Sequence, residues 1–73
     1  MKITILGAGA WGTALARILA KRDHTVTLWD FYPETVEVIN RTRINERYLP
    51  GIELPPNLSA EADATKALAG VEL

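Results

Sequence analysis

The chain contains no cysteine and a single histidine, His24. A disulfide framework and a zinc site built from cysteine and histidine ligands are therefore both excluded. No apolar run is long enough to cross a membrane, and the N-terminal residues lack the long apolar region and cleavage site of a signal peptide. These absences predict a protein without a metal site or a membrane partner, and the lack of cysteine is compatible with the cytosol.

The chain also has no large excess of either positive or negative charge. The formal net charge is −1, with 8 basic and 9 acidic residues interspersed along 73 residues. No basic stripe is available to neutralise a phosphate backbone, which argues against nucleic acid as a partner. The length is below that of one typical domain, so we expect a partial domain of marginal stability.

What the chain does contain is a regular alternation of hydrophobic patterns. Short segments rich in β-branched and apolar residues are predicted strands, at residues 3–6, 25–29 and 58–62. Segments with helical spacing or helix-start residues are predicted helices, at residues 10–21, 33–42 and 64–69. The order β-α-β-α-β-α predicts a parallel, Rossmann-type βαβαβ sheet, the first half of a doubly wound domain.

Three details of these elements can be checked against a structure. The continuous apolar run at residues 3–6 predicts a strand that is buried on both faces. In the first helix, the pairs Ala14/Ile18 and Leu15/Leu19 place an apolar stripe on one face. In the last helix, Asp63 is the expected N-cap, and Gly70 is expected to close the helix.

The glycines Gly7, Gly9 and Gly12 form a G-x-G-x-x-G motif directly after the first predicted strand. Gly7 permits the tight turn, Gly9 leaves room for a pyrophosphate, and Gly12 lets the helix pack close to the sheet. The free N–H groups of the helix start favour an anion. Asp30 ends the second strand, where an acid accepts hydrogen bonds from the adenosine ribose. The motif therefore predicts dinucleotide binding.

Two other interpretations of the glycine turn are weaker. A tight βα turn without a ligand would need neither three glycines nor a placed acid. A nucleotide-hydrolysing P-loop would need a lysine between Gly12 and Thr13, and none is present.

The stretches GAGAWGTALA, LW, PETVEVIN and NERYLPGIELPPNL resemble the N-terminal part of bacterial-type NAD(P)-dependent glycerol-3-phosphate dehydrogenase. The resemblance covers essentially the whole chain, and the N-x-x-YLPG-x-x-LP-x-NL segment is more specific than the glycines. It implies a parent enzyme that reduces dihydroxyacetone phosphate to sn-glycerol 3-phosphate with NADH or NADPH, for phospholipid synthesis in the cytoplasm. It also implies that the catalytic residues lie in a domain beyond Leu73, so none is assigned in residues 1–73.

The resemblance adds cofactor-contacting residues to the glycine turn and Asp30. They are Ala10 and Trp11 at the helix start and Tyr48 in the YLPG loop. Phe31 and Tyr32, after the second strand, depart from the family pattern and are expected to flank the adenine, since an aromatic face can stack there. Asp30 would repel the extra phosphate of NADP, so NAD is the expected cofactor. We interpret the neighbouring arginines as a solvated helix end: Arg41, Arg43 and Arg47.

Two alternatives to this interpretation remain. The chain could belong to another NAD(P)-dependent dehydrogenase or reductase with the same opening, or it could be a non-catalytic minimal nucleotide-binding module. In either case residues 1–73 are expected to be a partial dinucleotide-binding domain. With its fourth strand absent, the first strand has a bare edge that could pair with the remainder of a parent enzyme or with a second copy of the chain.

Overall fold

The computed structural model describes residues 1–69, which form alternating strands and helices. The elements are β1 (Lys2–Leu6), α1 (Ala10–Lys21), β2 (Thr25–Trp29), α2 (Pro33–Thr42), β3 (Leu58–Glu61) and α3 (Ala64–Leu68). All six predicted elements are confirmed, with their ends within one residue of the predicted ones. The predicted closure of α3 by Gly70 lies outside the described residues. None of the helices within residues 1–69 has the length and apolar character needed to span a bilayer.

The three strands form one parallel sheet in the order β1-β2-β3. The register aligns Leu6 of β1 with Trp29 of β2, and Trp29 in turn with Glu61 of β3. The carboxyl ends of all three strands therefore lie level at one edge. This order is the one predicted for the first half of a doubly wound sheet.

The hydrophobic core lies between the sheet and the first two helices. Val26 and Leu28 of β2, Leu58 of β3 and Ile39 of α2 are fully buried there. Val26 and Leu28 are two residues apart, so they point to the same face of the sheet. Burial of side chains of this size contributes about 1.5–3 kcal/mol each, which makes this cluster the main source of stability.

The face of α1 that packs on the sheet differs from the predicted stripe. Thr13, Ala16 and Ala20 are its buried residues, whereas Leu15 and Ile18 are 39% and 52% exposed. Small side chains allow the helix axis to approach the strands closely, and this close approach turns the larger apolar residues outward. Helical periodicity located an apolar stripe, but not the face that contacts the core.

The prediction that β1 is buried on both faces is wrong for residues 1–69. Its central residues are only partly buried, and Leu6 is 65% exposed. The reason is positional, because β1 is paired with β2 on one side only and is an edge strand of the described sheet.

Helix α3 lies against the opposite face of the sheet from α1. The hydroxyl of Thr4 donates a hydrogen bond to the carbonyl of Ala67 in α3, and Thr4 alternates with the core-facing Ile5 along β1. Asp63 caps α3, because its side chain accepts from the backbone N–H groups of Thr65 and Lys66 at 2.8 and 3.2 Å. The predicted N-cap is therefore confirmed.

The outer edge of β3 is occupied by one side chain of α2. The amide of Asn40 donates to the carbonyl of Ala60 and accepts from its N–H, both at 2.9 Å. On the inner side of the strand, the carbonyls of Asn57 and Glu61 accept from the N–H groups of Val26 and Asp30. Asn40 therefore bonds the outward-facing peptide groups of Ala60 much as a further strand would.

The segment between α2 and β3 is organised by Arg43, which ends α2 in a left-handed conformation with φ 64°. Its guanidinium donates to the carbonyls of Pro55 and Leu58, and its own carbonyl accepts from the N–H of Leu54 at 2.6 Å. The interpretation of Arg43 as part of a solvated helix end is wrong, because this side chain cross-links the loop.

Candidate functional site

The glycine turn begins next to Asp30, at the carboxyl edge of the sheet. Leu6 and Trp29 are register partners, and the N–H of Gly7 donates to the carbonyl of Trp29 at 2.8 Å. Gly7 has φ +113°, a conformation that side chains rarely adopt. The chain can therefore turn off β1 immediately beside the residue that follows β2.

Gly12 brings the start of α1 into contact with this turn. A Cβ atom at position 12 would lie 2.3 Å from the carbonyl oxygen of Gly7 and 3.4 Å from Cγ2 of Ile5. Only a residue without a side chain fits this spacing. The close helix–sheet packing predicted for Gly12 is thus present in the structure.

Gly9 is the N-cap of α1, and the space beside it is open. It has φ −69° and ψ 178°, and a Cβ atom there would meet nothing within 4 Å. The first helical hydrogen bond runs from Thr13 N–H to the Gly9 carbonyl at 2.9 Å. The N–H groups of Ala10, Trp11 and Gly12 precede that bond and are free to bind an anion.

Asp30 follows β2 with its backbone held and its carboxylate outside any described ion pair. Its N–H donates to the carbonyl of Glu61 at 3.1 Å. The one ion pair found within residues 1–69 joins Arg41 to Glu37 at 3.9 Å along α2. Arg41 thus fits the predicted solvated helix end, and the acid remains available to an external hydrogen-bond donor.

Aromatic residues from two segments gather next to Asp30. The rings of Phe31 and Tyr32 meet edge to face, with centroids 5.6 Å apart. The guanidinium of Arg47 lies 5.8 Å from the Tyr32 ring centroid and 5.4 Å from that of Tyr48. The structure therefore links Tyr48 of the YLPG loop to Tyr32 through Arg47. Arg47 is exposed, as the solvated interpretation expects, but it lies in the loop beyond the end of α2, over these two rings.

Trp11 lies apart from this aromatic group. Its side chain is 81% exposed, on a surface shared with the exposed Leu15 and Ile18 of α1. Its ring is not packed into the core formed by residues 1–69. It lies at the start of α1, next to Ala10 and one turn from Ala14.

A buried polar cluster beneath the glycine turn was not predicted from the sequence. Nδ2 of Asn45 donates to the Ala8 carbonyl and to Oγ1 of Thr13, both at 2.8 Å. Oγ1 of Thr13 in turn donates to the same Ala8 carbonyl at 3.3 Å. Asn45 is the first residue of the N-x-x-YLPG segment, so this segment contacts the glycine turn directly. The N-x-x-YLPG spacing is the sequence feature that marks Asn45, but it does not indicate a contact with the glycine turn.

Residues 2–73 match the family described as NAD-dependent glycerol-3-phosphate dehydrogenase N-terminus. Among curated proteins, the chain is 55% identical over its full length to the glycerol-3-phosphate dehydrogenase [NAD(P)+] of Anaeromyxobacter dehalogenans. It is 53% identical over 93% of its length to a second such dehydrogenase, from Mycobacterium tuberculosis. The chain spans about a fifth of the length of these relatives, 22% and 20% respectively.

Solved structures with the same fold carry the same description. Glycerol-3-phosphate dehydrogenase from Coxiella burnetii aligns with a TM-score of 0.92 and 43% identity, covering 96% of this chain and 22% of the other. The corresponding protein from Saccharomyces cerevisiae aligns with a TM-score of 0.88 and 34% identity, covering 99% and 24%. The Rossmann-type topology of the described residues is therefore shared with these proteins.

Proposed function

The chain belongs to the family of NAD-dependent glycerol-3-phosphate dehydrogenase N-terminal domains, and we propose that it binds the adenosine diphosphate portion of NAD. One observation carries this proposal. The glycine turn presents free N–H groups next to an open space at Gly9, and Asp30 lies level with it on the neighbouring strand. These are the donor set and the acceptor that a pyrophosphate and its ribose require.

Within this proposal the residues have distinct roles. The N–H groups of Ala10, Trp11 and Gly12 hold the pyrophosphate, assisted by the positive end of the α1 dipole. The carboxylate of Asp30 accepts hydrogen bonds from the ribose hydroxyls. The exposed rings of Phe31, Tyr32 and Tyr48 flank the adenine, and Trp11 covers the mouth of the turn.

We further propose that residues 1–73 are part of a dinucleotide-binding domain in a larger dehydrogenase. The cofactor supplies a hydride when bound, and the proposed reaction reduces dihydroxyacetone phosphate to sn-glycerol 3-phosphate, a phospholipid precursor made in the cytoplasm. The names of the relatives support this activity. Because the chain spans about a fifth of their length, the substrate and catalytic residues are assigned to the remainder of the parent enzyme.

NAD is the proposed cofactor in preference to NADP. In NADP a phosphate replaces one of the ribose hydroxyls that Asp30 would contact, so two anions would meet. Three arginines that follow Asp30 in the chain make other contacts. Arg41 pairs with Glu37, Arg43 binds carbonyls of the following loop, and Arg47 lies over the rings of Tyr32 and Tyr48. Within residues 1–69 none of the three forms an ion pair with Asp30 that would offset the repulsion.

We also propose that the isolated chain self-associates through β1. The support is that β1 is paired on one side only within residues 1–69, and that Leu6 is largely exposed. An unpaired apolar strand edge is a template for pairing with another strand.

The dinucleotide site is tested by substitutions at Gly9 that separate binding from folding. Both Asn and Asp are favoured N-caps, and a Cβ atom at this position meets only open space. Gly9→Asn and Gly9→Asp should therefore keep the stability of α1 or raise it slightly. Both side chains would occupy the N–H groups intended for the pyrophosphate, and the aspartate adds a like charge.

Titration calorimetry with NADH measures the outcome. We expect the dissociation constant to rise at least tenfold in Gly9→Asn, about 1.4 kcal/mol, and further in Gly9→Asp. Urea unfolding of the same samples provides the control for stability. Wild-type affinity in Gly9→Asp would refute the assignment of the glycine turn as the phosphate site.

A further inference from the structure

The buried contact between Asn45 and the glycine turn bears on how the turn presents its donors. Asn45 is 1% exposed and Thr13 is completely buried, so the Ala8 carbonyl that both side chains contact points into the protein. In a planar trans peptide, the carbonyl and the following N–H point in opposite directions. The inward Ala8 carbonyl therefore turns the N–H of Gly9 away from the buried side chains, as a further donor beside those of Ala10, Trp11 and Gly12.

We propose that Asn45 and Thr13 are positioning residues that fix the Ala8–Gly9 peptide in its anion-binding orientation. This inference rests on the proposed binding of a dinucleotide at the turn. Rotation of this peptide would direct a carbonyl oxygen at the phosphates in place of an N–H. Glycine at positions 7 and 9 leaves the turn intrinsically free to rotate, so side-chain contacts must hold its conformation.

The orientation of the Asn45 amide supports this role. Its Nδ2 faces two oxygen atoms, whereas its Oδ1 is buried and, within residues 1–69, has no hydrogen-bond partner. The opposite orientation would place Oδ1 against the Ala8 carbonyl oxygen, acceptor against acceptor. The arrangement therefore leaves an amide oxygen without a partner while it satisfies the carbonyl of the turn.

Asn45→Asp keeps the shape of the side chain and replaces the Nδ2 donor by an oxygen. Because a carboxylate close to the turn also repels an anion, the uncharged pair Thr13→Val and Thr13→Ser separates loss of the contact from charge repulsion. A matched control exists at the other end of the sheet. Nδ2 of Asn57 likewise donates two hydrogen bonds, in this case both to backbone carbonyls, those of Ala20 and His24, at 2.6 and 2.7 Å. Asn57→Asp therefore makes the same chemical change and removes the same number of contacts, far from the turn.

We expect Asn45→Asp to raise the dissociation constant of NADH at least tenfold in the purified protein, and Asn57→Asp to leave it within twofold of the wild-type value. Thr13→Val should weaken binding in the same way, whereas Thr13→Ser, which keeps the hydroxyl, should restore it. This second pair decides the question if Asn45→Asp does not fold. Equal affinities for the two aspartate variants, or wild-type affinity in Thr13→Val, would overturn the proposal.

A measurement without ligand distinguishes failure of this inference from failure of the proposed function. Amide NMR spectra of the free protein should show shifted signals and faster hydrogen exchange for Gly9 and Ala10 in Asn45→Asp but not in Asn57→Asp. If the wild-type protein binds no NADH, the proposed function fails, and these spectra still decide whether Asn45 sets the turn. Unchanged Gly9 signals in a folded Asn45→Asp protein would refute the inference.

Discussion

Substitution of Gly12 by alanine should destabilise the fold more than its small size suggests. The added Cβ would lie 2.3 Å from the Gly7 carbonyl oxygen, about 1 Å inside a normal carbon–oxygen contact. Gly7 cannot move its carbonyl aside easily, because its N–H is bonded to Trp29. The helix start must therefore move away from the sheet.

The magnitude follows from two opposing effects. Overpacking of a close contact costs about 1–3 kcal/mol, and a clash between a Cβ and a backbone atom belongs at the upper end. Alanine recovers about 1 kcal/mol of helix propensity relative to glycine. The expected net loss for Gly12→Ala is about 2 kcal/mol, which lowers the melting temperature of a domain of this size by about 10 °C.

Urea unfolding followed by circular dichroism measures this loss, and Gly9→Asn serves as the matched control. Both variants replace a glycine of the same turn, but the Cβ at position 9 points into open space. We expect the slope of the unfolding free energy against urea concentration to be unchanged in both variants. The urea midpoint should be lowered only in Gly12→Ala. Equal midpoints for Gly12→Ala and the wild-type protein would refute the close helix–turn contact.

Two further predictions concern the cofactor and the sheet edge. Calorimetry should show NADH binding tenfold to a few hundredfold more tightly than NADPH, a difference of about 1.4–3 kcal/mol. Asp30→Gly combined with Phe31→Arg should shift the preference toward NADPH, and equal affinities in the starting protein would contradict the role of Asp30. Light scattering should detect oligomers of the isolated chain, and Leu6→Lys should reduce them because a charge disfavours edge pairing. A monomeric wild-type chain at high concentration would refute self-association.

The sequence predicts the order of elements well because each one has a strong local pattern. The β-branched run at Thr25–Trp29 predicts a strand, and the proline at the start of α2 predicts a helix start. Both predictions need adjacent residues only. Burial was predicted less well. Leu15 and Ile18 appear equivalent to core residues in a helical pattern, and only the close approach imposed by Gly12 decides that smaller residues face the sheet.

The candidate site likewise contains some residues whose positions the sequence predicts and others whose positions it does not. The glycine turn and Asp30 follow from their positions after two strands, since parallel strands end at one edge. The contacts of Asn45 and Arg47 do not follow, because they depend on how a long loop folds back across the molecule. A polar residue in a loop has no periodicity from which its burial could be inferred.

The side chain of Asn40 blocks the β3 edge of the described sheet, so that only the β1 edge can accept a further strand. Its amide already satisfies the outward peptide groups of Ala60, so a strand arriving next to β3 would have to displace it. A strand arriving next to β1 meets no such obstacle among residues 1–69. Any strand added to this unit, from the same polypeptide or another, is therefore directed to the β1 side. The β1 side adjoins the glycine turn, so an added strand would extend both the sheet and the wall of the proposed cofactor pocket.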